Sequence, residues 1–258
     1  MLSRCVFHGL LLTCFLSPMS LRSWHDTAQS QHPDVLSRRV ESLALLDATM
    51  EDALRALRAT NQNEILIGFE AVAHRADKVK KTMSLTFSDA TVAEILNALC
   101  RKDPRYTYEL VDGLVIHVRP LNSYVDSQNL LDIRIHDFSV QGSMLPAAVI
   151  VQIGELAPEL SSYIAKKQSE YYKSRRIEPA FPGVTMHGNM EPQIKLHMQD
   201  VSVRQILNAV VLYSYELNKN SKPDWTGNKL VPTSWMYDFI IDPAAPTGLG
   251  GYPRWITF

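Results

Sequence analysis

Residues 82–99 read TMSLTFSDATVAEILNAL, and residues 193–210 read QIKLHMQDVSVRQILNAV. At this offset of 111 positions seven residues coincide: Leu85 with Leu196, Asp89 with Asp200, Val92 with Val203, Ile95 with Ile206, Leu96 with Leu207, Asn97 with Asn208, and Ala98 with Ala209. The patterning repeats with the identities. Met83, Leu85 and Phe87 alternate with polar neighbours, as do Ile194, Leu196 and Met198, so each segment opens as a strand with one apolar face. Past Asp89 or Asp200 the period changes. Val92, Ile95, Leu96 and Leu99, and in the other copy Val203, Ile206, Leu207 and Val210, follow the i, i+3, i+4, i+7 spacing of a helix face. Thr91-x-x-Glu94 and Ser202-x-x-Gln205 supply the capping boxes that satisfy the first free N–H groups of these helices. The preceding aspartates suit a turn and the positive end of the helix dipole.

Reading outward, the first copy starts with a strand near 40–46. Thr49-Met50-Glu51-Asp52 then provides a cap and an acidic first turn for a helix with Leu54 and Leu57 inward. A strand over 65–69 follows, then the 82–99 unit, then alternating strands around Asp112-Gly113, a strong hairpin signal. The second copy begins with a strand over 133–138 and enters a helical stretch, 145–176, through Pro146, with a break expected at Pro158. It ends, after a polar loop over 218–233, in a strand over 235–241. The fold class is therefore α+β: two β-α-β-β-α-β modules, each a small sheet packed with two helices. They span 36–120 and 131–242, with a linker at 121–130 and a Pro/Gly/aromatic tail at 243–258.

This element order, with D-[AV]-[ST]-V-x-x-I-L-N-A between third strand and second helix and Tyr106-Thr107-Tyr108-Glu109-Leu110-Val111-Asp112-Gly113 closing the module, resembles the secretin and TonB short N-terminal domain. The resemblance covers 36–120 well and 131–242 more loosely. It implies a periplasmic interaction module without catalytic residues, found at the N-terminus of outer-membrane secretins and TonB-dependent transducers. Only the tail at 243–258 follows the second copy here, too little for a pore or barrel. The resemblance thus implies a free-standing exported adaptor for a protein partner in the cell envelope of a Gram-negative bacterium. A relay module of a transducer or anti-sigma-type pathway is the alternative. An enzyme with a pocket built by the 145–192 insertion is a third reading.

The chain has 258 residues, 46% of them hydrophobic and 21% charged, a globular composition. Its net charge of −1 supplies no electrostatic footprint for nucleic acid. A single basic residue, Arg4, precedes an apolar run over 5–16, which reads as a signal peptide and leader within 1–30. That run is too short to cross a bilayer, so the mature chain is expected not to span the membrane. Three cysteines make no disulfide framework, and Cys100 ends an apolar helix face, where a buried, unreactive thiol is expected.

No His-Glu-x-x-His, Cys-x-x-Cys or Gly-x-Ser-x-Gly pattern occurs, so no catalytic residue, cofactor or metal ligand is assigned. His117, His136 and His197 fall on the polar sides of their strands and are expected at the surface. Lys173-Ser174-Arg175-Arg176 reads as the charged end of a helix. The expected partner contacts are Tyr252, Trp255 and Phe258, large apolar groups in the tail that either fold back over the second module or dock as an edge strand on a partner.

Overall fold

Leu66–Glu70, the sequence LIGFE, is a strand with every residue buried, so both of its faces are covered. Around it the computed structural model arranges residues 34–75, 78–123, 129–140, 144–175, 194–220, 231–241 and 251–257, the residues described below. All belong to one compact unit, Pro33–Phe258. The stretch 1–30, expected to be a signal peptide and leader, lies outside the described residues.

The elements in order are β1 (Arg39–Ala48), α1 (Met50–Thr60), β2 (Leu66–Glu70), β3 (His74–Arg75), β4 (Met83–Thr91), α2 (Val92–Lys102), β5 (Tyr106–Val111) and β6 (Val115–Pro120). The second half continues with β7 (Arg134–Val140), α3 (Pro146–Val151), α4 (Ile153–Leu156), α5 (Pro158–Arg175), β8 (Leu196–Ser202), α6 (Val203–Asn220), β9 (Trp235–Ile241) and β10 (Gly251–Thr257). Helices and strands mix in an α+β fold. The helical stretch breaks at Gln152 and again ahead of Pro158, and Pro146 occupies the first turn of α3.

The two halves share a layout. A short 3-10 turn capped by Asp34 leads into β1, and one capped by Asn129 leads into β7. β1 pairs antiparallel with β4, and β7 with β8. The N–H of Val92 donates to Arg38 at 2.9 Å and that of Val203 to Ile133 at 3.2 Å, closing each ribbon onto its second helix in the same way. Both capping boxes form: Thr91 with Glu94, and Ser202 with Gln205. Asp89 (φ 47) and Asp200 (φ 50) both adopt the left-handed conformation, inside their strands instead of ending them. Each strand resumes for two residues before its helix begins.

The sheets depart from the expected pair of separate modules. One mixed sheet has the order β10-β9-β2-β6-β5, with β3 beside β9. β2 runs parallel to β6 of its own half and parallel to β9 of the other. The second hairpin therefore extends the first half's sheet and builds none of its own. Ile67, Phe69, Ile116, Val118 and Met236 face a core formed with α1, α2 and β1–β4. Leu66, Val115, Trp235 and Tyr237 face a second core formed with α3, α6 and β7–β8. Alternation along each strand thus feeds two cores from one sheet.

Gly68 makes the β2–β9 pairing possible: a Cβ there would lie 2.7 Å from the Trp235 ring. Two further ties bind β2 and α1 to the approach to β9. The Arg58 guanidinium donates to the Pro232 carbonyl, and the N–H of Ile67 donates to Ser234 Oγ at 3.0 Å.

Candidate functional site

The residues expected to carry partner contact lie at the sheet's edge. Tyr252 stands opposite Ile240 and Trp255 opposite Tyr237 in the β9–β10 ladder, so this segment completes the chain's own sheet. Phe258 lies outside the described residues. Pro253, opposite Phe239, lacks an N–H, which suits a strand at the edge of the described sheet.

At the opposite edge is β5. Among the described residues it pairs with β6 alone, leaving one row of backbone groups open. Its hairpin is set by Asp112 (φ 51) and Gly113 (φ 69), both left-handed, with Leu114 N–H donating to the Val111 carbonyl at 3.1 Å. The sequence YTYELV is rich in β-formers and carries neither proline nor lysine. Tyr106 is buried and the other five side chains are half-buried. Tyr108 Oη donates to Asn97 Oδ1 at 3.2 Å, pinning the strand to α2.

The ribbon strands differ from β5 in how their edges are treated. β1 carries a register shift between Leu45 and Ala48 with left-handed Asp47, and Asp89 and Asp200 bend β4 and β8. Charge guards the same ribbons: Arg39 binds Asp89 at 2.6 Å, and His136 and His197 bind Asp200 and Asp137 at 3.1 and 3.3 Å. Bulges and charges of this kind are what natural sheets use to discourage added strands. Glu109 is the one charge on β5, and it turns toward its neighbours: Oε1 lies 3.3 Å from both His117 Nδ1 and Arg119 Nε.

His136 and His197 are exposed, as expected, each engaged with a carboxylate across the ribbon and not with the other. His117 is a correction: it is fully buried, with its ring 5.3 Å from that of Trp235. The expectation failed because strand alternation assigns a side, not what covers it. The second half covers this one.

Beside His117 lies a buried polar network. Glu70 Oε2 accepts from Arg204 Nη2 at 3.1 Å, Arg204 also binds Asp132, and Asn129 Nδ2 donates to Glu70 Oε1 at 2.6 Å. His117 Nε2 lies 3.9 Å from Glu70 Oε2 and finds no hydrogen-bond partner among the described residues. Burial pushes the His117 pKa down, outweighing its bond to Glu109. The linker expected at 121–130 is therefore partly a structural member, since Asn129 caps a turn and binds Glu70.

The repeated asparagines act alike in different surroundings. Asn97 accepts from Tyr108 at the surface, and Asn208 accepts from Trp235 Nε1 at 2.8 Å in the core. Cys100 is half-buried and its thiol pKa is raised by burial, away from the reactive thiolate. Arg175 ends α5, while Arg176 lies outside the described residues. Among the described residues no group of three or more His, Cys, Asp or Glu could hold a metal ion, and no helix is long and apolar enough to cross a membrane. Comparison with protein-family models, curated proteins and solved structures gave no match.

Proposed function

We propose that this chain is a non-enzymatic, exported adaptor of the cell envelope that recognises a protein partner by adding an extended segment of that partner to β5. The observation that carries the reading is the edge of β5. It continues the central sheet, it is fixed by its hairpin and by α2, and it lacks the bulges, proline or left-handed residues borne by β1, β4, β8 and β10. Main-chain hydrogen bonds along such an edge supply affinity, and alternate side chains supply specificity. Tyr108 and Leu110 lie on the first-core side of β5, and Thr107, Glu109 and Val111 on the other, so a docked strand would be read on both faces. The leader and the resemblance to the secretin and TonB short N-terminal domain support the compartment and a partner in a secretin or TonB-type system.

The test places a photo-cross-linking residue at Thr107 or Leu110 of the full chain in intact cells, with the same residue at Glu41 of β1 as control. Capture of one protein through a contiguous segment from β5 but not from β1, abolished by a proline in that partner segment, is the expected result. Equal capture from both strands, or none from β5, overturns the reading.

A further inference from the structure

α2 and β5 together shape the open edge of the sheet. Only three residues, Asp103 to Arg105, separate the end of α2 at Lys102 from the start of β5 at Tyr106, so the strand runs back along the helix. The hydrogen bond from Tyr108 Oη to Asn97 Oδ1 fixes their register. From Asn97 one helical turn leads to Arg101 on the same face of α2, a rise of about 6 Å. From Tyr108 two residues back along β5 lead to Tyr106 on the same face of the strand, about 7 Å away. Arg101 therefore stands beside the start of β5 as Asn97 stands beside its middle.

The side of β5 that faces α2 is apolar at its surface. Tyr108 and Leu110 of β5 and Cys100 of α2 are partly buried at the margin of the first core. A strand added to β5 would lay every second side chain against them. The charges at the two ends of this strip differ in sign. Arg101 and Lys102 are exposed, and neither forms an ion pair among the described residues. Asp103, the next carboxylate in the chain, is buried and held by Arg105 Nε and Nη2 at 2.8 and 2.6 Å, with Lys81 at 3.8 Å. At the other end the exposed groups are acidic: Glu94 in the first turn of α2 and Asp112 in the hairpin. Arg39, which also acts on Glu94, is taken by Asp89 at 2.6 Å. The open edge thus has a cationic end at Tyr106 and an anionic end at Asp112.

We infer that the partner segment carries two apolar residues and one acidic residue at alternate positions, with the acidic side chain beside Tyr106 and facing Arg101 and Lys102. The inference rests on the strand addition at β5 proposed above and supplies the chemistry of what is added. The apolar pair lies against Leu110 and Tyr108 on the face turned to α2, as cross-strand neighbours do. Slipped or reversed, the segment would bring its acid to Glu94 and Asp112, and that repulsion selects one register.

The test selects binders of the full chain from a random peptide library, displayed as an internal insertion so that no terminal carboxylate is present. Binders that shift the backbone amides of 106–111 are kept. They should share the pattern apolar-x-apolar-x-acidic, read in one chain direction. Arg101→Glu should weaken the best of them about tenfold, because attraction becomes repulsion, and Lys219→Glu, in the last turn of α6, should leave binding unchanged. Replacing the peptide's acidic residue by Lys should restore binding to the Arg101→Glu chain. Should the reversal disturb α2, Arg101→Gln, a helix former of similar propensity, gives the same comparison with a smaller loss. Binders at 106–111 that lack the acidic residue, or that keep their affinity for a folded Arg101 variant, overturn this inference and leave strand addition at β5 standing. Failure to select any binder at 106–111 overturns both.

Discussion

The two halves use the same local devices and end in different tertiary roles. In the first, β2 lies beside the half's own β6. In the second, the β9–β10 hairpin crosses to that same strand, so β2 is buried from both sides. Matching positions consequently have unequal energetic weight. Asn97 tethers an aromatic residue at the surface, whereas Asn208 tethers Trp235, fully buried, in the second core. A duplicated pattern can specify the same secondary structure twice while only one copy carries the join.

The strongest way to break the join is through its charges. Arg204→Met should cost about 3–5 kcal/mol in urea unfolding, since it leaves Glu70 buried without its main cation. Adding Glu70→Leu should recover much of that loss. A double-mutant cycle with no recovery would show that the pair is not coupled across the halves.

Next in size is the asparagine comparison. Asn208→Ala should cost about 1–3 kcal/mol, because the Trp235 indole N–H is left buried and unsatisfied, while Asn97→Ala should change stability by less than about 0.5 kcal/mol. Equal losses would mean that the two helices are equivalent after all.

Acid should act on the join through His117. Its folded pKa lies below the ordinary 6.5, so below that pH the unfolded chain binds the extra proton and stability falls. The slope is at most about 1.4 kcal/mol per pH unit and ends at the folded pKa. His117→Gln should flatten it in denaturation curves recorded as a function of pH.

The smallest effect separates the helix caps. Glu94 is held below its ordinary 4.5 by the Thr91 N–H, and Asp52 below 3.8 by Thr49. Their stabilisation is complete above those ordinary values and is lost as pH falls through the lower folded ones. Gln205 carries no proton to gain, so amide shifts at the start of α1 and α2 should titrate while those at α6 do not. Glu94→Gln should remove the response at α2.

Features whose partners lie within a few residues were legible in advance. The Thr91–Glu94 box needs only three residues of separation, Asp112-Gly113 sets its own turn, and Pro146 and Pro158 shape the helical stretch through their fixed φ and missing N–H. The burial of His117 was not legible, nor was that of Glu70, because a strand's pattern does not say which distant element covers its second face. The guarded and unguarded edges were only half visible: Pro253 could be read, but its place in an outer strand depends on β9. The surroundings of Lys80 were hidden for a similar reason, since Asp238, far along the chain, comes within 3.6 Å of its ammonium group only when β9 docks beside β2 and β3.

By itself the sequence determined the α+β class, the repeated strand-to-helix unit and the caps, since propensity, hydrophobic period and side-chain hydrogen bonds act over a few residues. The tertiary structure alone decided that the two copies share one sheet, that Glu70 and Arg204 meet 134 residues apart, and which edges stay open. Those outcomes depend on long-range packing of one half against the other, which local patterning favours but does not encode.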